Sequence, residues 1–434
     1  MKTVLEVLYN AYKKSPIVSI DSRKIVPGSI FFALKGDKFD GNIYAQDAID
    51  KGAKIAVIDN KKYFINDEKT LIVDNVLLTL QKLAAHHIKQ INIPVIAITG
   101  TNGKTTTKEL IKNVLQKKYK IVATEGNYNN HIGVPLTLLR VSSETEIAVV
   151  EMGANHPGEI KLLCDIAAPD YGVITNIGMA HLEGFGSIEG VKKTKMELYN
   201  HIQINGKMFF LNLDDSLLSD LYSNKVFTYG TTCNCNISGR LIEQNPCLKV
   251  SWTSQKLEKS FEIQTQLPGS HNLINILCAI SVGEYFNIKP DDINNAIESY
   301  KPDNNRSQII YKKNTILLDA YNANPSSVSK AIQTLIDIKT GKSKVFILGD
   351  MLELGDYTDK EHQNIIELII KNNLKGYFVG KNFSKYKHQY PRYKFYSDTN
   401  DFIKEFDFNN LSDSFILIKG SRGIGLEKVL DFIP

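Results

Sequence analysis

Val95-Ile-Ala-Ile-Thr-Gly-Thr-Asn-Gly-Lys-Thr-Thr106 runs from four apolar residues straight into a glycine-rich loop, and residues 106–117 continue with helical periodicity. A buried strand, a tight loop and a helix in that order are the context in which Gly-x-x-Gly-Lys-Thr-Thr reads as a phosphate cradle. In the loop of Gly100, Thr101, Asn102 and Gly103 the glycines let backbone N–H groups turn toward phosphate oxygens, and the positive end of the following helix adds to the attraction. Lys104 is placed to neutralise the β- and γ-phosphates, and the Thr105 hydroxyl, with Thr106 behind it, to meet Mg2+. The spacing is shortened, because the usual Gly-x-x-x-x-Gly-Lys would need glycine where Ile98 stands. A chance Gly-Lys-Thr turn is the competing reading, and the correctly placed strand and helix speak against it. No Asn-Lys-x-Asp run is present to read guanine, so ATP is the expected nucleotide.

Outward from this loop the chain keeps alternating strands and helices. On the N-terminal side, apolar runs at 29–34, 55–58 and 71–73 are interleaved with turns and a helical pattern at 44–51, which predicts a small α/β unit. Residues 77–90 read as a helix leading to Pro94, where a new segment opens. On the other side, 147–150 and 171–174 are buried-strand signals ending in polar clusters, 209–265 is rich in strand-like pieces of an antiparallel edge, and 273–285 is helical. The polar hinge Tyr300-Lys-Pro-Asp-Asn-Asn-Arg306 precedes a last α/β pattern with strands expected at 315–318, 345–348, 376–379 and 415–418. At about 150 residues per domain, the chain divides into a small N-terminal α/β domain (1–90), a central P-loop ATPase domain with a mostly parallel sheet (91–304) and a C-terminal Rossmann-like domain (305–434). Ligands of such sheets bind outside the carboxyl ends of the strands.

Composition narrows the function classes. A 43% hydrophobic and 23% charged share is that of an ordinary globular protein. A net charge of +5 over 434 residues, scattered and mixed with acids, gives no case for nucleic acid. Residues 1–14 alternate apolar and polar residues as a helix does, unlike a signal peptide, and no apolar run approaches the ~20 residues of a bilayer span. A cytoplasmic protein without membrane insertion, and a monomer, is expected. Five cysteines (Cys164, Cys233, Cys235, Cys247 and Cys278) make no disulfide framework, and Cys233-x-Cys235 lacks the spacer of a zinc or redox pair.

Three further side chains bear on the phosphate loop. Val149-Val150-Glu151 puts a carboxylate at a strand end, and the segment after 173–176 brings the His181 imidazole to the end of the next. If both strands flank the loop, Glu151 and His181 form a mixed O/N set suited to Mg2+ or Mn2+. Each alone is more often a structural residue, and the phosphate loop beside them favours the metal reading. With Ser187 as N-cap, Ile188, Val191, Leu198 and Tyr199 make one helical stripe with Lys195 near its middle. An inward lysine is costly unless neutral, paired or modified. By periodicity alone a lysine snorkelling to the surface is the more common reading of Lys195, and Lys192 and Lys193, at the flank and the far side, fit it better still.

The segments Thr99-Gly-Thr-Asn-Gly-Lys-Thr-Thr106, Glu151-Met-Gly-Ala-Asn-His156, Thr175-Asn-Ile-Gly-Met-Ala-His181, Gly269-Ser-His-Asn-Leu-Ile-Asn275, Asp319-Ala-Tyr-Asn-Ala-Asn-Pro325, Gly349-Asp-Met-Leu-Glu-Leu-Gly355 and Lys419-Gly-Ser-Arg422 together resemble the Mur ligases of bacterial cell-wall synthesis. The resemblance spans all three domains. It implies ATP-dependent amide-bond formation through an acyl phosphate, with a UDP-muramoyl tripeptide and D-alanyl-D-alanine as partners, and ATP, two Mg2+ ions and a CO2-derived lysine carbamate as cofactors. Carried over residue by residue, Lys104 and Thr105 match the triphosphate and Mg2+ positions, Glu151 and His181 metal ligands, and Lys195 the carbamylated lysine. Asn275, Arg306 and Asp319 match adenine, phosphate and ribose contacts. Ser22 and Arg23 fall in the uridine-diphosphate-sugar region, and Asn129, Asn130, Tyr321, Asn322 and Asn324 on substrate-facing loops. The hinge reads Asn-Asn-Arg-Ser-Gln where many relatives have Gly-Arg, so the contacts beside Arg306 are open, as are the individual roles of Lys419, Ser421 and Arg422. A folylpolyglutamate synthase or a ligase adding the third residue of the muramoyl peptide is the alternative within the same mechanism, and a nucleotide-gated binding protein the alternative outside it.

Overall fold

A computed structural model describes residues 3–221, 223–232 and 234–434. Met1, Lys2 and Cys233, which the readings of the first helix and of the cysteine pair touch, lie outside the described residues. Among the described residues three main sheets follow one another along the chain, of four, nine and six strands. No helix among them is long and apolar enough to cross a membrane.

The N-terminal sheet pairs Val18–Ser19, Ile30–Phe32, Ile55–Ile58 and Thr70–Ile72, all parallel. The helix Val76–Ile91 then carries the chain to the central domain. Asn75 caps it by accepting from the Leu78 N–H at 2.8 Å, and Asn92 ends it in a left-handed turn with φ 55°. Pro94 follows, unable to continue a helix. Leu80, Leu83 and Ala84 on this helix are fully buried in a core that also takes in Leu138, Ile160 and Leu163 of the central domain. Tyr12 adds a hydroxyl donated to the Leu139 carbonyl. The first two domains therefore share one apolar core.

The central sheet runs in the order Lys259–Pro268, Cys247–Ser254, Ile237–Gln244, Val226–Gly230, Met208–Asn212, Tyr171–Ile174, Val95–Thr99, Ile147–Glu151, Ile121–Ala123. Val95–Thr99 is its first strand in sequence and lies inside it, with Tyr171–Ile174 on one side and Ile147–Glu151 on the other. That arrangement makes the carboxyl end of Val95–Thr99 a topological switch point, where a crevice opens. The antiparallel edge expected over 209–265 is narrower than the sequence suggests. Met208–Asn212 and Val226–Gly230 extend the parallel sheet, and the antiparallel part is confined to the last three strands. A parallel strand buried on both faces reads as an apolar run with no mark of direction.

The C-terminal sheet pairs Gln308–Tyr311 antiparallel to Thr315–Leu318 and continues in parallel through Ser414–Lys419, Ser343–Gly349, Lys375–Val379 and Lys394–Tyr396. Its four expected strands are present; the two edge strands, short and half-exposed, escaped the pattern. The fold is α/β throughout, with mostly parallel sheets. Burial pushes the Cys164 and Cys278 thiols up to about 12, as befits packing residues.

Candidate active site

The helix after the phosphate loop begins at Lys104, two residues earlier than its periodicity indicates, and runs to Leu115. Its N-cap is Gly103, in a left-handed turn with φ 79°, and no described side chain caps it. The first N–H groups are thus left for a ligand, which is how helix N-termini take anions. Gly103 is also sterically required: a Cβ there would come 2.7 Å from Asn275 Oδ1. A Cβ on Gly100 would meet the Thr175 hydroxyl. Lys104 folds back to donate to the carbonyls of Gly100 (2.7 Å) and Thr101 (3.1 Å). Burial lowers its pKa to about 8; the nearby Glu151 carboxylate opposes this and the Arg306 charge adds to it.

Register brings Glu151 level with the loop, since Ile98 pairs with Glu151 in the neighbouring strand. Glu151 is 1% exposed. Its carboxylate accepts from Thr105 Oγ1 at 2.9 Å and Asn129 Nδ2 at 2.8 Å, and among the described residues it has no ion pair. A buried carboxylate held by neutral donors alone invites a cation. No three described His, Cys, Asp or Glu side chains cluster as a ready-made cage. Mg2+ suits such a place, because it commonly takes one or two protein oxygens and completes its shell with water and phosphate.

His181 lies elsewhere than expected. It is not at a strand end but seven residues beyond Ile174, as the left-handed N-cap (φ 50°) of the short helix Leu182–Phe185. An apolar strand followed by a polar run does not reveal how far the chain travels before a side chain turns back. Burial lowers its pKa, against the pull of the Glu353 carboxylate 2.5 Å from Nδ1. Lys195 is inward as expected, 3% exposed on the helix Ile188–Asn205, which Ser187 caps through the Gly190 N–H. Burial and the Lys104 charge depress its pKa to about 7, and its amine sits over the Phe185 ring, 5.4 Å from the centroid. Lys193 is exposed and Lys192 half-buried, on the flank.

Across the hinge, the C-terminal domain closes the other wall. Asn324 caps the helix Pro325–Asp337, its Oδ1 accepting from the Ser327 N–H, while its Nδ2 reaches Asn102 Oδ1 at 2.9 Å. Asn102 in turn donates to Ser326 Oγ at 2.7 Å. Lys419 pairs with Asp319 at 2.6 Å, and the Arg306 guanidinium stacks on Tyr321, 3.6 Å from the ring centroid. Residues 101–106, Asn129, Asn130, Glu151, His181 and Asn275 from the central domain, with Arg306, Asp319, Tyr321, Asn322 and Asn324 from the last, line one cleft of about 510 Å3. Asn130 faces it, and its Oδ1 accepts from the N–H groups of Ile132 (3.1 Å) and Gly133 (2.9 Å) just before the helix Gly133–Leu138. Lys195 and Gly100 are not among the residues that line the cleft. Ser22 and Arg23 are not brought to it: they sit on the turn Ser22–Lys24 of the N-terminal domain, where Arg23 is exposed and paired with Asp21 at 2.8 Å. Lys330, His271, Asn176 and Glu353 also line the cleft. Asn176, His271 and Glu353 fall within segments that carry the family resemblance but have no role of their own in it, and Lys330 is a single polar residue whose spacing carries no signal.

Comparison with known proteins follows the same three-part division. The chain matches the Mur ligase family catalytic domain over residues 15–99, the Mur ligase middle domain over 98–283 and the Mur ligase glutamate ligase domain over 305–422. It is 34% identical over 424 residues, 95% of this chain and 92% of the relative, to the UDP-N-acetylmuramoyl-tripeptide–D-alanyl-D-alanine ligase of Bacillus subtilis (strain 168). The enzyme of that name from Escherichia coli (strain K12) is 34% identical over 364 residues, 81% of this chain and 78% of the relative. Among solved structures, MurF from Acinetobacter baumannii superposes with a TM-score of 0.86 at 29% identity, covering 95% of this chain and 92% of that one. The MurF ligase of Thermotoga maritima in complex with ADP gives 0.83 at 26% identity, covering 100% and 98%.

Proposed function

This chain belongs to the Mur ligase family, and from that premise we infer that it joins D-alanyl-D-alanine to the terminal carboxylate of UDP-N-acetylmuramoyl-tripeptide in an ATP-dependent reaction of peptidoglycan precursor synthesis. The observation that carries the reading is the convergence of the uncapped phosphate-loop helix, the buried Glu151–Thr105 pair and three C-terminal-domain motifs on a single cleft. The substrates come from the relatives' names. Those relatives give no support to a folylpolyglutamate synthase or a third-residue ligase.

In the reaction a carboxylate oxygen of the tripeptide takes the γ-phosphoryl group of ATP and ADP leaves. The free amine of D-alanyl-D-alanine then attacks the acyl carbon, the C–N bond forms, the amine gives up a proton and phosphate departs with the C–O electrons. The N–H groups at the start of the helix Lys104–Leu115, with Lys104, hold the phosphates in line. Asn275 and Asp319 face the nucleoside, and Arg306 the phosphates, from the two sides of the hinge. Thr105, Glu151, His181 and a carbamate on Lys195 would hold Mg2+, two ions in all, which when bound offsets charge on the transferring phosphoryl group. The buried amine of Lys195, with its pKa lowered to about 7, is unprotonated in a substantial fraction of molecules at neutral pH and so able to add CO2. Ser22 and Arg23, with residues 1–90, take the uridine diphosphate end; residues 91–304 take ATP, and residues 305–434 close on it while Asn129, Asn130, Tyr321, Asn322 and Asn324 meet the peptide substrates. Consumption of ATP and a UDP-linked precursor assigns the reaction to the cytoplasm.

The test is phosphate release, expected only when UDP-muramoyl tripeptide and D-alanyl-D-alanine are supplied together; turnover with folate and glutamate instead would overturn the assignment. Lys195→Ala is expected to abolish turnover, with partial recovery on adding short carboxylates, and wild-type protein in 13C-bicarbonate should show a carbamate carbon by NMR that the variant lacks.

A further inference from the structure

The segment Gly349-Asp-Met-Leu-Glu-Leu-Gly355 plays no part in the proposed reaction steps, yet it reaches across the domain boundary. It leaves the carboxyl end of the strand Ser343–Gly349 and is pinned to its own domain on the near side of Glu353. The buried Asp350 carboxylate accepts from the N–H groups of Asn382 (2.8 Å) and Phe383 (3.0 Å). The Met351 N–H donates to His362 Nε2 at 3.1 Å and the Leu352 N–H to Ser421 Oγ at 2.9 Å. Beyond it, Gly355 lies against the central domain, where an added Cβ would be 3.4 Å from Glu183 Cα.

Between these anchors Glu353 holds a left-handed backbone, φ 63°, a conformation seldom taken by a residue with a long side chain. Its carboxylate is directed to His181, whose backbone is left-handed too. Two strained residues from different domains thus meet, Oε2 to Nδ1, at the rim of the cleft. A carboxylate only accepts. With Nδ1 carrying the proton toward Glu353, Nε2 keeps its lone pair, the form of imidazole a metal ion requires.

We propose that Glu353 is a positioning residue: reaching from the C-terminal domain, it fixes the ring orientation and tautomer of His181, so that this imidazole is ready to bind metal only when the last domain is closed on the central one. The inference rests on the proposed role of His181 as a metal ligand. It couples domain closure to assembly of the metal site through one side chain, and it assigns a task to a motif that the proposed reaction steps leave without one.

The experiment uses the full chain with ADP. In 15N-histidine-labelled protein, with His181 identified by its loss in His181→Ala, long-range proton–nitrogen spectra read the tautomer. Mn2+ titration followed by electron paramagnetic resonance reads metal affinity. Glu353→Ala is expected to lose the Nδ1-protonated tautomer and to weaken Mn2+ binding about tenfold, the lower end of what removing such an orienting partner costs. Glu353→Gln, which keeps an acceptor oxygen, should retain the tautomer and most of the affinity. Unchanged tautomer and affinity in Glu353→Ala would overturn the proposal. If His181→Ala itself binds Mn2+ as the wild type does, the ligand reading fails and the role of Glu353 with it; if His181→Ala is weakened while Glu353→Ala is not, only the role of Glu353 fails.

Discussion

Gly103 carries two demands that no other residue meets together: a φ of 79° and a Cβ position 2.7 Å from Asn275 Oδ1. Adding a methyl group there costs about 1–2 kcal/mol of left-handed strain before any displacement of Asn275 is counted. Gly103→Ala is therefore expected to bind ATP about tenfold more weakly or worse, measured by titration calorimetry, and to melt about 2–8 °C lower, because the folded chain carries the same strain. Wild-type affinity in that variant would show that the loop adapts and that its tight geometry is not what binds phosphate. Glu151 works by the opposite logic. Its value lies in being buried with no ion-pair contact among the described residues, next to a hydroxyl that can turn toward the same ion.

At the level of elements, two helices point their N-termini at the cleft with different equipment. The helix Lys104–Leu115 is left uncapped, whereas Pro325–Asp337 is capped by Asn324, whose amide also bridges to Asn102 in the phosphate loop. One side chain thus does two jobs, and substitution separates them. Asn324→Asp keeps the oxygen that caps and loses the amide that bridges. Its melting temperature should stay within about 1 °C of wild type while the KM for ATP rises. Asn324→Ala removes the cap as well, and the loss of about 1 kcal/mol should appear as a fall of about 2–4 °C in the melting temperature. Equal melting temperatures for the two variants would contradict the capping role.

In the whole molecule, the first and second domains are joined by apolar packing and the second and third mainly by polar contacts around the cleft. Leu80 and Leu83, each 0% exposed, lie in a core shared between the N-terminal helices and the central domain. Leu83→Ala is expected to cost about 2–5 kcal/mol and to loosen the N-terminal domain, read as faster amide exchange over residues 76–91; exchange at the wild-type rate would show the shared core to be unimportant for docking. The contacts of the third domain, Asn324 and Ser326 to Asn102 and Glu353 to His181, are few and hydrogen-bonded, as suits a wall that must open to admit substrates.

The sequence by itself determined the phosphate loop and the strongly periodic elements around it. Val95–Thr99, the four expected strands of the last domain and the inward face bearing Lys195 all follow from local periodicity, which hydrophobic burial imposes within a few residues. Strand order, register and reach were decided only by the tertiary structure. That Ile98 pairs with Glu151 could not be read locally, nor that 209–230 extends a parallel sheet, nor that His181 turns back from a short helix rather than ending a strand. Glu353 is the clearest case. In the sequence it is one acid in a loop, and its meaning comes from a partner 172 positions away (353 less 181), because a contact between domains leaves no periodic trace in either segment.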